Sequence, residues 1–187
     1  MRIIGGAFKG TALASVGKGD QGAHLRPTTD RVRESIFNLL VNGGYGDPIT
    51  DARVLDLFAG TGALGFEALS RGAASALFVD DGVKARALLR QNIDILRLIG
   101  RTKLFRRDAT RLGPAKGVPF DLVFLDPPYG KGLGERALKA AAEGGWLAED
   151  ALLVWEENAE KQAPEGFEAL DARKYGDTWV HILRFLG

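Results

Sequence analysis

The chain has 187 residues, a formal charge of +1 and 45% apolar residues, enough for one globular domain with a full core and too few for a second independent one. It contains no cysteine, which removes disulfides, thiolate zinc sites and cysteine nucleophiles together. The N-terminus lacks the apolar run of a signal peptide and no stretch approaches the ~18 apolar residues of a membrane span, so a soluble cytoplasmic protein without a membrane partner is expected.

In chain order, Ile3, Ile4, Phe8 and Leu13 around Gly5-Gly6 and Gly10 read as a short β-hairpin or extended arm, followed by a Gly- and Ser-rich loop over 15–25. Thr29 or Asp30 caps a helix in which Val32, Ile36, Phe37, Leu39 and Leu40 recur at helical spacing until Gly43-Gly44. From residue 53 the pattern alternates. A strand over 53–58 leads through a glycine turn into a helix over 63–71, and a strand over 76–79 leads into a helix over 83–98. Strands over 103–105, 120–125 and 152–155 follow, with a helix over 133–142 between the last two. This order implies a parallel sheet with helices on both faces. Residues 169–174 and 179–185, separated by Tyr175-Gly176-Asp177-Thr178, close the chain as a β-hairpin.

Gly60-Thr61-Gly62-Ala63-Leu64-Gly65 matches the three-glycine fingerprint between a strand and a helix, where close backbone approach and free helix N–H groups receive a polar ligand. Asp80, twenty residues past Gly60, is placed to accept hydrogen bonds from ribose hydroxyls. The loop therefore reads as a site for an adenosine cofactor, either NAD or S-adenosylmethionine. Asp56 separates the two, because a carboxylate there repels a pyrophosphate and tolerates the ammonium-bearing methionine of S-adenosylmethionine; as a structural alternative it caps the turn. Asp108, directly after the third strand, is placed either to accept from the adenine amino group or to pair with Arg106 or Arg107.

The strand over 120–125 delivers Asp126-Pro127-Pro128-Tyr129 to the carboxyl edge of the sheet. In a doubly wound sheet the first and fourth strands flank the switch point, so this tetrapeptide and the glycine loop face one crevice. An aromatic amino nitrogen is a poor nucleophile because its lone pair is delocalised into the ring. Asp126 and a carbonyl of the Pro127-Pro128 segment are an acceptor pair for its hydrogens. The prolines fix φ and supply no N–H, and Tyr129 offers a face on which an extruded base stacks. Asp126, Pro127, Pro128 and Tyr129 are therefore the candidate catalytic residues of an amino-methyltransferase, and this chemistry requires no metal. The cofactor set is Asp56, Phe58, Ala59, Gly60, Thr61, Gly62, Asp80, Asp108 and Ala109.

Charge is unevenly spread. The segment over 97–111 carries Arg97, Arg101, Lys103, Arg106, Arg107 and Arg111 against Asp108 alone, while that over 143–171 is acidic with Lys161 its one base. Arg106 and Arg107 are candidate phosphate contacts; the alternative is a solvated basic face.

The tetrapeptide and glycine loop resemble the amino-methyltransferases of DNA, RNA and protein. With Arg2-Ile3-Ile4-Gly5-Gly6, Lys9-Gly10, Arg26-Pro27-Thr28, Asp30-Arg31-Val32-Arg33-Glu34 and Tyr175-Gly176-Asp177-Thr178, nearly the whole chain resembles the bacterial 16S rRNA (guanine-N2) methyltransferase family of D type. The resemblance implies an α/β, Rossmann-like class I methyltransferase with a mostly parallel seven-stranded sheet, a C-terminal antiparallel hairpin and a short N-terminal β-hairpin arm. It implies S-adenosylmethionine as cofactor, methylation at N2 of a guanine of 16S rRNA in small-subunit ribosomal particles, and a monomer. It also implies an arm that touches RNA and places Arg26 to Arg33 near the cofactor and substrate mouth, adding Arg26 to the cofactor set. The family's usual Glu is replaced by Asp80, so the ribose contact is expected from Asp80 or Asp81.

A DNA adenine-N6 methyltransferase is the alternative, since Asp-Pro-Pro-Tyr serves equally there, but 187 residues leave little space for a target-recognition domain. A glutamine methyltransferase more often has Asn at position 126, and carbon-5 pyrimidine methylation needs a cysteine. An NAD oxidoreductase leaves the tetrapeptide unexplained, and an RNA-binding module needs only the basic segments.

Overall fold

The computed structural model describes residues 1–16 and 28–187; residues 17–25 of the expected loop, and Arg26 and Pro27, lie outside the described residues. A seven-stranded sheet, in the order β3-β2-β1-β4-β5-β7-β6, organises the chain. Its strands are β1 (Arg53–Leu57), β2 (Ser75–Val79), β3 (Thr102–Phe105), β4 (Phe120–Leu125), β5 (Leu147–Glu157), β6 (Phe167–Tyr175) and β7 (Thr178–Phe185). β1 to β5 run parallel, and β7 pairs antiparallel with both β5 and β6. The expected mostly parallel sheet with a terminal hairpin is present, and strand order reverses between β1 and β4.

The four helices are α1 (Asp30–Asn42), α2 (Ala63–Ser70), α3 (Val83–Leu96) and α4 (Leu133–Glu143). Thr29 Oγ1 accepts from the Val32 N–H at 3.2 Å and caps α1, which resolves the choice between Thr29 and Asp30. Strand alternation sorts the core into two layers. Val54, Phe78, Leu122, Phe124 and Val154 pack with α1, α2 and α3; Leu55, Leu57, Val79, Val123, Leu125, Leu153 and Trp155 pack with α4. All eight residues of α2 are buried, among them Glu67.

Several boundaries differ from expectation. β1 ends at Leu57 because Phe58 takes φ 56°, outside the extended region. β5 runs over eleven residues, beginning well before the expected 152. Asp150, at φ 63°, and a register shift opposite Phe120/Leu122 interrupt its alternation, which hides the extension. α3 stops at Leu96, where Arg97 takes a left-handed φ of 55°.

The N-terminal arm is a hairpin closed by the antiparallel bridge Arg2↔Ala12 and by the Ile3 N–H on the Thr11 carbonyl at 3.0 Å. It lies against the body: the Ile4 and Gly5 N–H groups donate to Glu67 at 2.9 and 3.0 Å, and the Ala7 N–H to the Ser70 carbonyl at 2.8 Å. A Cβ on Gly6 would fall 1.9 Å from the Ser70 carbonyl oxygen, so this approach requires glycine. Among the described residues, no helix is long and apolar enough to cross a membrane.

Candidate active site

The carboxyl ends of β1, β2, β4 and β5 supply one acidic crevice edge. Asp56 registers with Phe124 on β4, and Leu125 registers with Trp155 on β5. The next step along the last two strands sets Asp126 beside Glu156, and alternation puts Asp56, Asp126 and Glu156 on the side of the sheet that carries α1 to α3. The Thr28 hydroxyl, just before α1, lies 3.2 Å from Asp126 Oδ2 and 3.1 Å from Glu156 Oε2. That part of the Arg26-to-Arg33 segment therefore meets the tetrapeptide, whereas Arg33 is fully buried against α2 and Arg26 lies outside the described residues.

The glycine loop is braced from below. Ala59 N–H donates to the Val79 carbonyl at 3.0 Å and Gly62 N–H to the Ala59 carbonyl at 2.8 Å. Gly62 takes φ 80°, and a Cβ there would fall 2.5 Å from the Phe66 ring. As the residue before α2 it brings no side chain to cap the helix, and the first-turn N–H of Gly65 is taken by Asp56. Asn92, wholly buried on α3, donates to the carbonyls of Thr61 at 3.0 Å and Ala14 at 3.1 Å and accepts from the Ala14 N–H at 2.7 Å. The arm and the glycine loop thus share one anchor.

Asp56 Oδ2 accepts from the Gly65 N–H at 3.1 Å, the turn-capping arrangement. Burial pushes its carboxyl well above the ordinary range; the Gly65 hydrogen bond opposes this, and the nearby Asp126 and Asp80 charges add to it. Asp80 ties two turns together, Oδ2 accepting from Gly60 N–H at 2.9 Å and Oδ1 from Gly82 N–H at 2.8 Å. Burial raises it too, against those two hydrogen bonds. Each Asp80 oxygen retains a second lone pair, so bracing the loop leaves acceptor capacity for a ribose.

Asp108 Oδ1 accepts from the Thr110 N–H at 2.8 Å and its hydroxyl at 2.7 Å, capping a 3₁₀ turn that begins with buried Ala109. Burial raises this carboxyl, but the Thr110 hydrogen bonds and the Arg111 and Arg136 charges bring it below its ordinary value. The Arg107 guanidinium is engaged elsewhere, donating to the Leu112 carbonyl at 2.7 Å and lying 4.6 Å from the Phe105 ring centre. In the tetrapeptide, Pro127 is buried, Pro128 exposed, and Asp126 and Tyr129 half-buried.

Glu156 is the site residue that sequence reasoning missed. It is 1% exposed. Burial pushes its carboxyl well above the ordinary range, and the Asp126 charge and a hydrogen bond with Asp126 push further, against the Thr28 hydroxyl. The available signal was a carboxylate directly after the apolar run 152–155, the same arrangement that marks Asp126 after β4. Asp80 and Asp126, with the buried carboxyls of Asp56 and Glu156 beside them, form an acidic edge that suits a cofactor bearing a sulfonium and an ammonium.

Comparison with known proteins agrees with this architecture. The Conserved hypothetical protein 95 family matches residues 1–184. Ribosomal RNA small subunit methyltransferase D of Escherichia coli (strain K12) is 40% identical over 164 residues, covering 88% of this chain and 78% of that protein. YlbH of Bacillus subtilis (strain 168) is 40% identical over 193 residues with 100% of both chains covered. The solved structure of yhhF from Escherichia coli superposes with a TM-score of 0.81 at 32% identity, covering 100% of this chain and 98% of that one. A buried acidic edge opposite a glycine loop, and these matches along nearly the whole chain, establish that it belongs to the Conserved hypothetical protein 95 family, that of ribosomal RNA small subunit methyltransferase D.

Proposed function

We propose that this chain methylates rRNA, transferring a methyl group from S-adenosylmethionine to the exocyclic N2 of a guanine in 16S rRNA within an assembling small subunit. The observation that carries the reading is the placement of Asp126 to Tyr129 at the end of β4, next to β1 and its glycine loop at the point where strand order reverses. The names of the relatives support rRNA as the substrate class.

In this reading the turn over 58–62 and the start of α2 hold the methionine end, Asp80 accepts from the ribose, and Asp108 and Ala109 border the adenine. Asp56 holds the loop from below and places its carboxyl on the same edge. Bound S-adenosylmethionine supplies an electrophilic methyl on a cationic sulfur. Asp126 accepts one amino hydrogen and a Pro127-Pro128 carbonyl the other, aiming the nitrogen lone pair at that methyl. Tyr129 stacks on the base. Alignment of the reacting atoms accounts for most of the rate, since no covalent enzyme intermediate is needed.

Tritiated methyl transfer to small-subunit particles from cells lacking this enzyme, and in parallel to unmethylated DNA, followed by nucleoside digestion, tests the reading. N2-methylguanosine is expected. N6-methyladenine formed in DNA, with no product in rRNA, would replace it with the DNA reading.

A further inference from the structure

Thr28 Oγ1 lies within hydrogen-bond distance of two carboxyl groups, at 3.2 Å from Asp126 Oδ2 and at 3.4 and 3.1 Å from Glu156 Oε1 and Oε2. A hydroxyl carries one proton and donates once at a time. Two ionised carboxylates around it would leave acceptor oxygens facing each other without a proton between them. Glu156 is 1% exposed, and among the described residues no Lys or Arg pairs with it. An ionised carboxylate so buried is costly unless paired, and among the described residues the charged groups that act on it, Asp126 and Asp56, are carboxyls like itself. The arrangement is satisfied when Glu156 holds a proton and Asp126 keeps its charge.

We propose that Glu156 is a positioning residue for the methyl transfer, donating a hydrogen bond as a neutral acid to Asp126 and, with Thr28, fixing the carboxylate that receives the substrate amino group. The inference rests on the reading of Asp126 given above. An O–H donor on a carboxylate makes a short, charge-assisted bond, and this one comes from a side chain anchored in the central part of the sheet. The upward displacement of the Glu156 carboxyl by burial and by Asp126 accords with it. The cluster joins three chain segments, since Thr28 precedes α1, Asp126 follows β4 and Glu156 lies on β5. Removing the donor takes away one of the contacts that orient the carboxylate, which lowers turnover without touching the groups assigned to the cofactor.

The test is steady-state methylation of unmethylated small-subunit particles by the full chain carrying Glu156→Leu, Glu156→Gln, Thr28→Val or Asp126→Asn, with S-adenosylhomocysteine affinity from calorimetry. Glu156→Leu is expected to lower kcat by roughly 10–100-fold, below the ~10²–10³-fold of a donor that touches the reacting atoms, with KM for S-adenosylmethionine held within about twofold. Glu156→Gln keeps an uncharged donor of similar length and is expected to restore kcat to within about fivefold of the parent. Wild-type kcat in Glu156→Leu, or Glu156→Gln as impaired as Glu156→Leu, overturns the proposal. Should Glu156→Leu fail to fold, Thr28→Val decides: a fall in kcat at constant KM supports the cluster, and unchanged kcat overturns it. An inactive Asp126→Asn beside a fully active Glu156→Leu overturns this inference alone, whereas a fully active Asp126→Asn removes the reading of Asp126 on which it rests.

Discussion

Arg33 and Glu67 form an ion pair in which neither side chain is exposed, with Arg33 Nε 3.3 Å from Glu67 Oε1. Glu67 also accepts from Arg71 Nε at 3.0 Å and from the Ile4 and Gly5 N–H groups, while Arg33 reaches back to the Arg2 carbonyl and to Asp30. One carboxylate on α2 therefore connects the arm, α1 and its own helix. Breaking a buried pair on one side strands a charge at a cost of about 3–5 kcal/mol. Glu67→Ala should lower Tm by roughly 6–20 °C, at ~2–4 °C per kcal/mol for a domain of this size. Replacing both partners by Leu should recover only part of this, because the Ile4 and Gly5 N–H groups still lack their acceptor. Full recovery in a thermal melt would show that the arm contributes nothing through Glu67.

Asn92→Ala tests the second anchor. The substitution removes the shared partner of the Thr61 carbonyl and both polar groups of Ala14. Leaving such groups unpaired costs about 1–3 kcal/mol each, less what water recovers at the partly exposed Ala14. Hydrogen exchange should accelerate over 11–16 and 60–65 together, and S-adenosylmethionine affinity should fall. Faster exchange in the arm with an unaltered glycine loop would separate the two.

Much of this architecture was legible in the sequence, because period-2 and helical apolar spacing and the glycine loop are local signals. The alternation of strands and helices, a cap at Thr29 or Asp30, and the placement of the tetrapeptide's strand beside that of the glycine loop follow from them; the choice of cap and the full strand order do not. What escaped reading is contact between distant segments. Glu67 is the only charged residue within Ala63–Ser70, and Asn92 is a polar interruption on the buried side of α3, but the arm residues Gly5 and Ala14 that they bind lie 62 and 78 residues away. Glu156 escaped for another reason: the strand-end rule applied to β1 and β4 was not carried to β5. The seating of the arm on the body escaped in the same way as the Glu67 and Asn92 contacts, since its backbone N–H groups are spent on α2, α3 and its own hairpin turn.

The titration of Glu156 has a sign that stability measurements can check. Its carboxyl sits well above the ordinary 4.5 in the folded chain. Between that value and the folded one, the native state holds a proton that the unfolded state has lost, so this residue's contribution to stability falls as pH rises. Glu156→Gln removes the titration. Its Tm relative to the parent should therefore be higher at pH 8 than at pH 5, with Asp56 and Asp80 leaving a residual slope of the same sign in both proteins. Parallel Tm curves across that range would show that Glu156 titrates normally.

Arg106 and Arg107 are neighbours in sequence but differ in the fold. Both are exposed, yet the Arg107 guanidinium is held by the Leu112 carbonyl and the Phe105 ring, whereas Arg106 has no such partner among the described residues. If RNA phosphates lie along this face, Arg106→Ala should weaken binding to small-subunit RNA and lower the slope of log K against log salt by about 0.7, the release expected for one single-strand phosphate contact. Arg107→Ala removes packing at Phe105 and a support of the 107–112 turn as well as a charge, so it should lower Tm where Arg106→Ala does not. Filter binding over a salt series together with thermal melts distinguishes the two. An unchanged salt slope in Arg106→Ala would exclude that side chain from the RNA-facing surface.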